Sequence, residues 1–217
     1  AWNISDMWQR LYNCISRANT ALQLLNQMDE NTYPIKQQRI AEMKFLRGHG
    51  HFLLKQLYKK IVIANDENLS PEEYNNLSNT VYTNDEGWQQ IVKDFLFAFE
   101  NLPDTQTDKG RPTKGAAAAY LAKTYLYKAY RQDNPETNEV TSINEEDLKN
   151  VVKYTEASIM TAGGYDLESD FHNNFRPEPQ YENGKESLWA MQYSMNDGTK
   201  NGNCNWSYGL IVPNIPG

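Results

Sequence analysis

Outside any helical periodicity, three short stretches set a ring or a carboxylate beside side-chain amides. They are Trp2-Asn3, Asn65-Asp66 and residues 203–208 (NCNWSY). A sugar presents an apolar face of ring C–H groups and a rim of hydroxyls. Proteins meet the face with exposed aromatic rings and the rim with amides or carboxylates. Trp2, Asn3, Asn65, Asp66, Asn203, Asn205, Trp206 and Tyr208 are therefore the candidate ligand-binding residues. Trp206 and Tyr208 stand two apart, and in extended backbone such residues point the same way, so their rings can share one stacking surface. The alternative for Trp2 and Trp206 is packing against the scaffold, the role expected of Trp8 and Trp88.

Other chemistry is sparse. His49 and His51 lie about 200° apart around a helix, so they cannot chelate one ion from the same face; one is expected to pack and the other to face solvent. His172 has no Cys or His at ligand spacing. Phosphate-cradling glycine loops, nucleophile elbows and zinc patterns are lacking. Carboxylates are plentiful, so an acid/base pair stays open, but Glu42 is better explained as an ion-pair partner. The acidic runs at 66–73 and 145–147 read as solvated faces, the first without the EF-hand spacing that calcium would need. Cys14 and Cys204 have neither metal spacing nor a disulfide framework. No catalytic residue, metal ligand or cofactor is assigned.

The elements that must carry these groups are helical. Residues 40–58 (IAEMKFLRGHGHFLLKQLY) are the centre, because Ala41, Phe45, Gly48 and Phe52 make one buried stripe at helical spacing. Glu42 and Arg47 are five apart, and each is expected to pair with another helix. Residues 5–28 form the preceding helix, with Trp8, Leu11, Ile15, Ala18 and Leu22 on one face. Thr83-Asn84-Asp85-Glu86 is a capping box opening a third helix that ends near Leu102-Pro103. A fourth runs from Pro112 through Tyr127. Asn144 caps a fifth, carrying Leu148, Val151, Val152, Thr155, Ile159 and Met160 and ended by Gly163-Gly164. Residues 59–84 and 132–143 are polar connections, and long loops in compact domains are often functional. An internal repeat aligns Trp8, Leu11, Ile15, Ala18 and Leu22 with Trp88, Ile91, Phe95, Ala98 and Leu102. A second aligns Phe45, Leu46 and Phe52 with Tyr120, Leu121 and Tyr127. Paired helices at such intervals are tetratricopeptide-like.

The fold expected is mainly α: tetratricopeptide-like stacked helical hairpins with irregular loops and a short strand near the C-terminus, at residues 186–193. Residues 1–164 make the scaffold, and 165–217 an irregular ligand-face segment opening an incomplete second part. A formal charge of −7 argues against nucleic acid as a partner. The sequence has no apolar run long enough to span a membrane, and residues 1–8 (AWNISDMW) lack the basic start and apolar core of a signal peptide.

Several of these pieces, in their order along nearly the whole chain, resemble the SusD/RagB family of glycan-binding lipoproteins of Bacteroidetes outer membranes. They are Arg17-Ala18-Asn19, then Ala41-Glu42 with Phe45-Leu46-Arg47, then residues 88–103 (WQQIVKDFLFAFENLP), Gly110-Arg111-Pro112-Thr113 before an alanine run, and residues 186–193 (ESLWAMQY). Where many members read Tyr-Gly-x-x-Pro, this chain has Tyr58-Lys59-Lys60-Ile61, which predicts a different loop path. The resemblance implies non-catalytic capture of oligosaccharide or polysaccharide at the cell outer membrane. It further implies a SusC-like TonB-dependent transporter as partner, and membrane contact only through a lipid anchor absent from this chain. By the same resemblance both ends of a longer protein would lie outside this sequence. The alternatives are a helical-repeat adaptor that holds peptides in its concave groove, and an α-helical glycosidase with paired carboxylates.

Overall fold

Helix α2, Lys36–Leu57, is buried on two sides rather than along one stripe. Ala41, Phe45, Gly48 and Phe52 face α3 (Asn84–Asn101), while Gly50 and Leu54 face α1 (Trp2–Gln27). The computed structural model describes residues 2–65, 72–73, 76–176 and 178–192, with backbone only for residues 2–4. Among these, α4 spans Lys114–Ala129 and α5 spans Glu145–Ile159. Each helix packs chiefly on its neighbour in sequence, from α1 to α5. The mainly α, stacked-hairpin fold expected from the repeat is the one observed.

Small residues set the spacing. A Cβ added at Gly50 would sit 2.8 Å from Ile15 Cγ1, and one at Gly48 would sit 3.2 Å from Asp94 Cβ. On α4, Gly115, Ala116, Ala117 and Ala118 are all buried, which lets its flanking helices approach. The rings fill what remains: Phe45, fully buried, meets Phe95, Tyr120 and Trp189 edge-on.

The helix starts follow local chemistry. Thr83 Oγ1 accepts from Glu86 N at 3.2 Å, and Glu86 Oε2 accepts from Thr83 N at 2.7 Å, completing the predicted capping box. Asn144 Oδ1 accepts from Asp147 N at 2.9 Å, as its N-cap position requires. Thr113, one residue after Pro112, caps α4. Beyond α5, Gly164 takes φ +71°, a left-handed turn that glycine supplies at least cost.

Three expectations are corrected here. Helix α5 turns Asp147, Tyr154 and Ser158 inward, Tyr154 stacking on Tyr125 of α4 at 5.7 Å. Val152, Ile159 and Met160, expected on its buried face, are 58%, 62% and 81% exposed. The helix carries two faces, and α4 selects the one bearing the ring. The described part of the strand expected at 186–193 is irregular. A two-residue antiparallel pairing lies instead within the polar connection, where β1 (Tyr130–Arg131) meets β2 (Ser142–Ile143). Finally, Trp2 and Asn3 stand in the first turn of α1, not in a loop.

Candidate functional site

Arg47 is the anchor from which one end of the stack is built. Its guanidinium grips Asp94 of α3 in a fork, Nε to Oδ2 at 2.8 Å and Nη2 to Oδ1 at 2.7 Å, with 2% and 1% of the two side chains exposed. Nη1 donates to Asn19 Oδ1 at 2.9 Å and to the carbonyl of Asn65 at 3.1 Å. Arg47 thus pairs with another helix, as expected. Glu42 does not: its partners are Arg39 on its own helix (2.7 Å) and Arg111 in the connection between α3 and α4 (2.7 Å).

The chain leaves α2 extended, with Tyr58 at φ −133°, ψ 127°, and residues 61–65 run across α1 and α2. Side chains take the place of a neighbouring strand. The Tyr12 hydroxyl donates to Val62 O at 2.9 Å and accepts from Val62 N at 2.7 Å. Asn19 Nδ2 donates to Ala64 O at 3.0 Å, and Ala64 N donates to His51 Nε2 at 3.2 Å. With Ile61, Ile63 and Ala64 buried beneath, the segment delivers Asn65 to the surface, where its amide donates to Gln90 Oε1 at 3.0 Å.

The histidines differ from expectation, because both are packed. Burial pulls the His51 imidazole down to about 4, the charge of Arg47 adding to this and that of Asp94 opposing it. His49, between the Tyr120 and Trp189 rings, is likewise lowered to about 4 by burial and by Lys123. Neutral His51 keeps the lone pair that holds Ala64. Burial raises the Cys14 thiol, which is free. Among the described residues no group of His, Cys, Asp and Glu is placed to hold a metal, and no helix is long and apolar enough to cross a membrane.

At this same end, where α2 and α4 finish and α3 starts, lies a cavity of about 300 Å³. Residues 80–84 form one wall, Gln132, Asp133 and Pro135 the other, and Lys59 and Lys60 the floor. Lys55, over the Trp88 ring, donates to Lys59 O at 2.7 Å and to Asn84 Oδ1; burial and neighbouring Lys59 lower it to about 8. Lys59 Nζ donates to the carbonyls of Asn134 and Thr137. A second, larger cleft of about 510 Å³ lies at the other end of α3 and α4, between residues 104–113 and 163–190. Trp189 borders it, and its indole donates to Gly110 O at 3.0 Å.

Of the candidate binding residues, the structure places Asn65 beside Gln90 and the backbone of Trp2 and Asn3 at the head of α1. Asp66, Asn203, Asn205, Trp206 and Tyr208 lie outside the described residues. Tyr82, Asn84, Gln132 and Asp133 were not singled out by sequence. Their signal was only that both polar connections are long, since about 50 positions separate Tyr82 from Gln132.

The model of a SusD-like family described as starch-binding and associating with the outer membrane matches residues 1–126. A SusD-like protein of Bacteroides ovatus is 25% identical over 193 residues, covering 88% of this chain and 33% of its own length. A crystal structure with xylogluco-oligosaccharide superposes with a TM-score of 0.70 at 26% identity, covering 89% of this chain and 36% of that one. A laminarin-binding SusD-like protein gives 0.61 at 25% identity, covering 78% and 33%. The chain therefore spans about a third of the length of the relatives it matches.

Proposed function

The chain belongs to this SusD-like family, and from that premise we propose that it is part of a non-catalytic glycan-binding protein of the cell outer membrane. It captures oligosaccharide or polysaccharide and passes it to a SusC-like TonB-dependent transporter, and a lipid anchor outside this sequence ties it to the membrane. The observation that carries the reading is the family match, joined to the likeness to a structure holding xylogluco-oligosaccharide and to a laminarin-binding protein. Residues 1–164 serve as the scaffold, and residues 165–217 begin the ligand face. Within that face Trp206 and Tyr208 form a stacking platform, with Asn203 and Asn205 reaching sugar hydroxyls; Trp2, Asn3, Asn65 and Asp66 contribute further contacts.

A glycan array read beside a reducing-sugar release assay tests the reading. Binding to one or more β-glucan or xyloglucan oligosaccharides without release of reducing ends is the expected result. Sustained release would make the chain a glycosidase, and binding of peptides alone would make it an adaptor. Trp206→Ala is expected to weaken glycan binding by about 1–2 kcal/mol with little change in melting temperature. A drop in melting temperature at unchanged affinity would make Trp206 a packing residue.

A further inference from the structure

Tyr82 is the one aromatic residue bordering the 300 Å³ cavity, and it is half-buried. Among the described residues neither its ring nor its hydroxyl has a partner. The polar groups around it are half used. Asn84 accepts from Lys55 through Oδ1, which leaves its Nδ2 donors. Gln132 Nε2 donates to Asn138 O at 2.9 Å, which leaves Oε1. Asp133 accepts from Thr141 through Oδ2 at 2.7 Å, which leaves Oδ1. The cavity is thus bordered by one ring and by donors and acceptors from two separate segments.

That combination selects its ligand class. A sugar hydroxyl donates and accepts at once, so adjacent hydroxyls suit the Asn84 amide donor set in one lining with the Gln132 carbonyl and Asp133 carboxylate acceptors. The apolar face of the same ring can stack on tyrosine. A phosphate would meet Asp133 unfavourably, with Lys59 already serving the carbonyls of Asn134 and Thr137 and Lys60 paired with Glu136, and an extended peptide would need a longer groove. At about 300 Å³ the cavity is at the small end of ligand sites, the size for one or two rings rather than a long chain.

The walls are also fixed in advance. Lys55 and Lys59 tie residues 84, 134 and 137 to the end of α2, and Glu136 N donates to Asn134 Oδ1 at 2.9 Å within the connection. A preformed cleft loses less affinity to loop ordering. We infer that the cleft between residues 80–84 and 132–135 is a sugar subsite, taking one or two pyranose rings, with Tyr82 as its stacking ring and Asn84, Gln132 and Asp133 as its hydroxyl partners. This rests on the glycan-binding reading above and gives that function a place on the scaffold.

Two measurements separate the claims. The 217-residue chain is titrated with methyl glucosides, methyl galactosides and methyl xylosides while the side-chain amide resonances of Asn84 and Gln132 are followed. Saturable shifts with at least one glycoside, abolished in Tyr82→Ala and weakened in Asp133→Asn at unchanged melting temperature, are the expected result. No shift with any of them, or shifts that persist in both variants, overturns the subsite. Any oligosaccharide bound on the array is then titrated against Tyr82→Ala, where an affinity loss of about tenfold is expected. Affinity retained within about twofold overturns the subsite but leaves glycan binding standing. Shifts with a glycoside and no oligosaccharide bound would keep the subsite and remove the wider function.

Discussion

At the scale of single residues, charge burial carries the largest consequences. Arg47 and Asp94 are almost wholly buried and satisfy each other in a fork. Removing one partner leaves the other charged and uncompensated, a loss of about 3–5 kcal/mol. Arg47→Met is accordingly expected to lower the urea midpoint sharply, and Asp94→Asn added to it should recover part of the loss. Affinity of the surviving folded protein for a glycan should be unchanged, since the guanidinium points inward; the reverse pattern would make Arg47 a ligand residue. His51 makes a pH prediction. Its folded value is about 4 against 6.5 when free, so the unfolded chain takes up the proton first. Its effect on stability is flat above about pH 7 and declines as pH falls from 6.5 towards 4. Within that window each step of one in pH removes up to about 1.4 kcal/mol. Equilibrium unfolding at about pH 7 and about pH 5 should show the decline, and His51→Gln, which keeps an acceptor for Ala64 N, should make it shallower.

At the scale of elements, α2 lies between α1 and α3 and also meets α4. Phe45→Ala should cost about 3–5 kcal/mol, because the fully buried ring contacts three other aromatic rings. A melting temperature unchanged within error would displace the core from this helix. Gly50→Ala tests the opposite fault. A methyl there meets Ile15 Cγ1 at 2.8 Å, an atom too near its own backbone to swing aside. The better helix propensity of alanine is therefore outweighed by overpacking of about 1–3 kcal/mol, and a stabilised variant would show that α1 moves freely. The connection at 132–141 depends on Lys59 in another way. Its ammonium serves two loop carbonyls, so Lys59→Met should speed hydrogen exchange there while leaving α3 and α4 protected.

At the scale of the whole molecule, the stack has two different ends. One gathers the segment after α2, the start of α3 and the connection after α4 around a cavity; the other holds the 510 Å³ cleft beneath Trp189. The sugar subsite is inferred at the first because its polar groups are only half satisfied. At the second, Trp189 and Tyr165 are already engaged with Gly110 and Thr113. The outer face and end of α5 carry the exposed apolar side chains Val152, Ile159 and Met160.

What the sequence determined by itself was local and periodic. The apolar spacing in α1 to α4, the capping box at Thr83 and the cap at Asn144 are settled by groups within one turn of each other, so they could be read off directly. The order of those pieces along the chain pointed to the family. Only the tertiary structure decided that both histidines are buried, that Glu42 reaches Arg111 across 69 positions, and that α5 turns its tyrosine inward. The candidate site divides in the same way. That polar loops would carry it was visible, but which loops meet was not. Tyr82 and Gln132 border one cavity because Lys55 and Lys59, at the end of α2, hold the two segments that carry them, and loop backbone has no period from which such a long-range juxtaposition can be read.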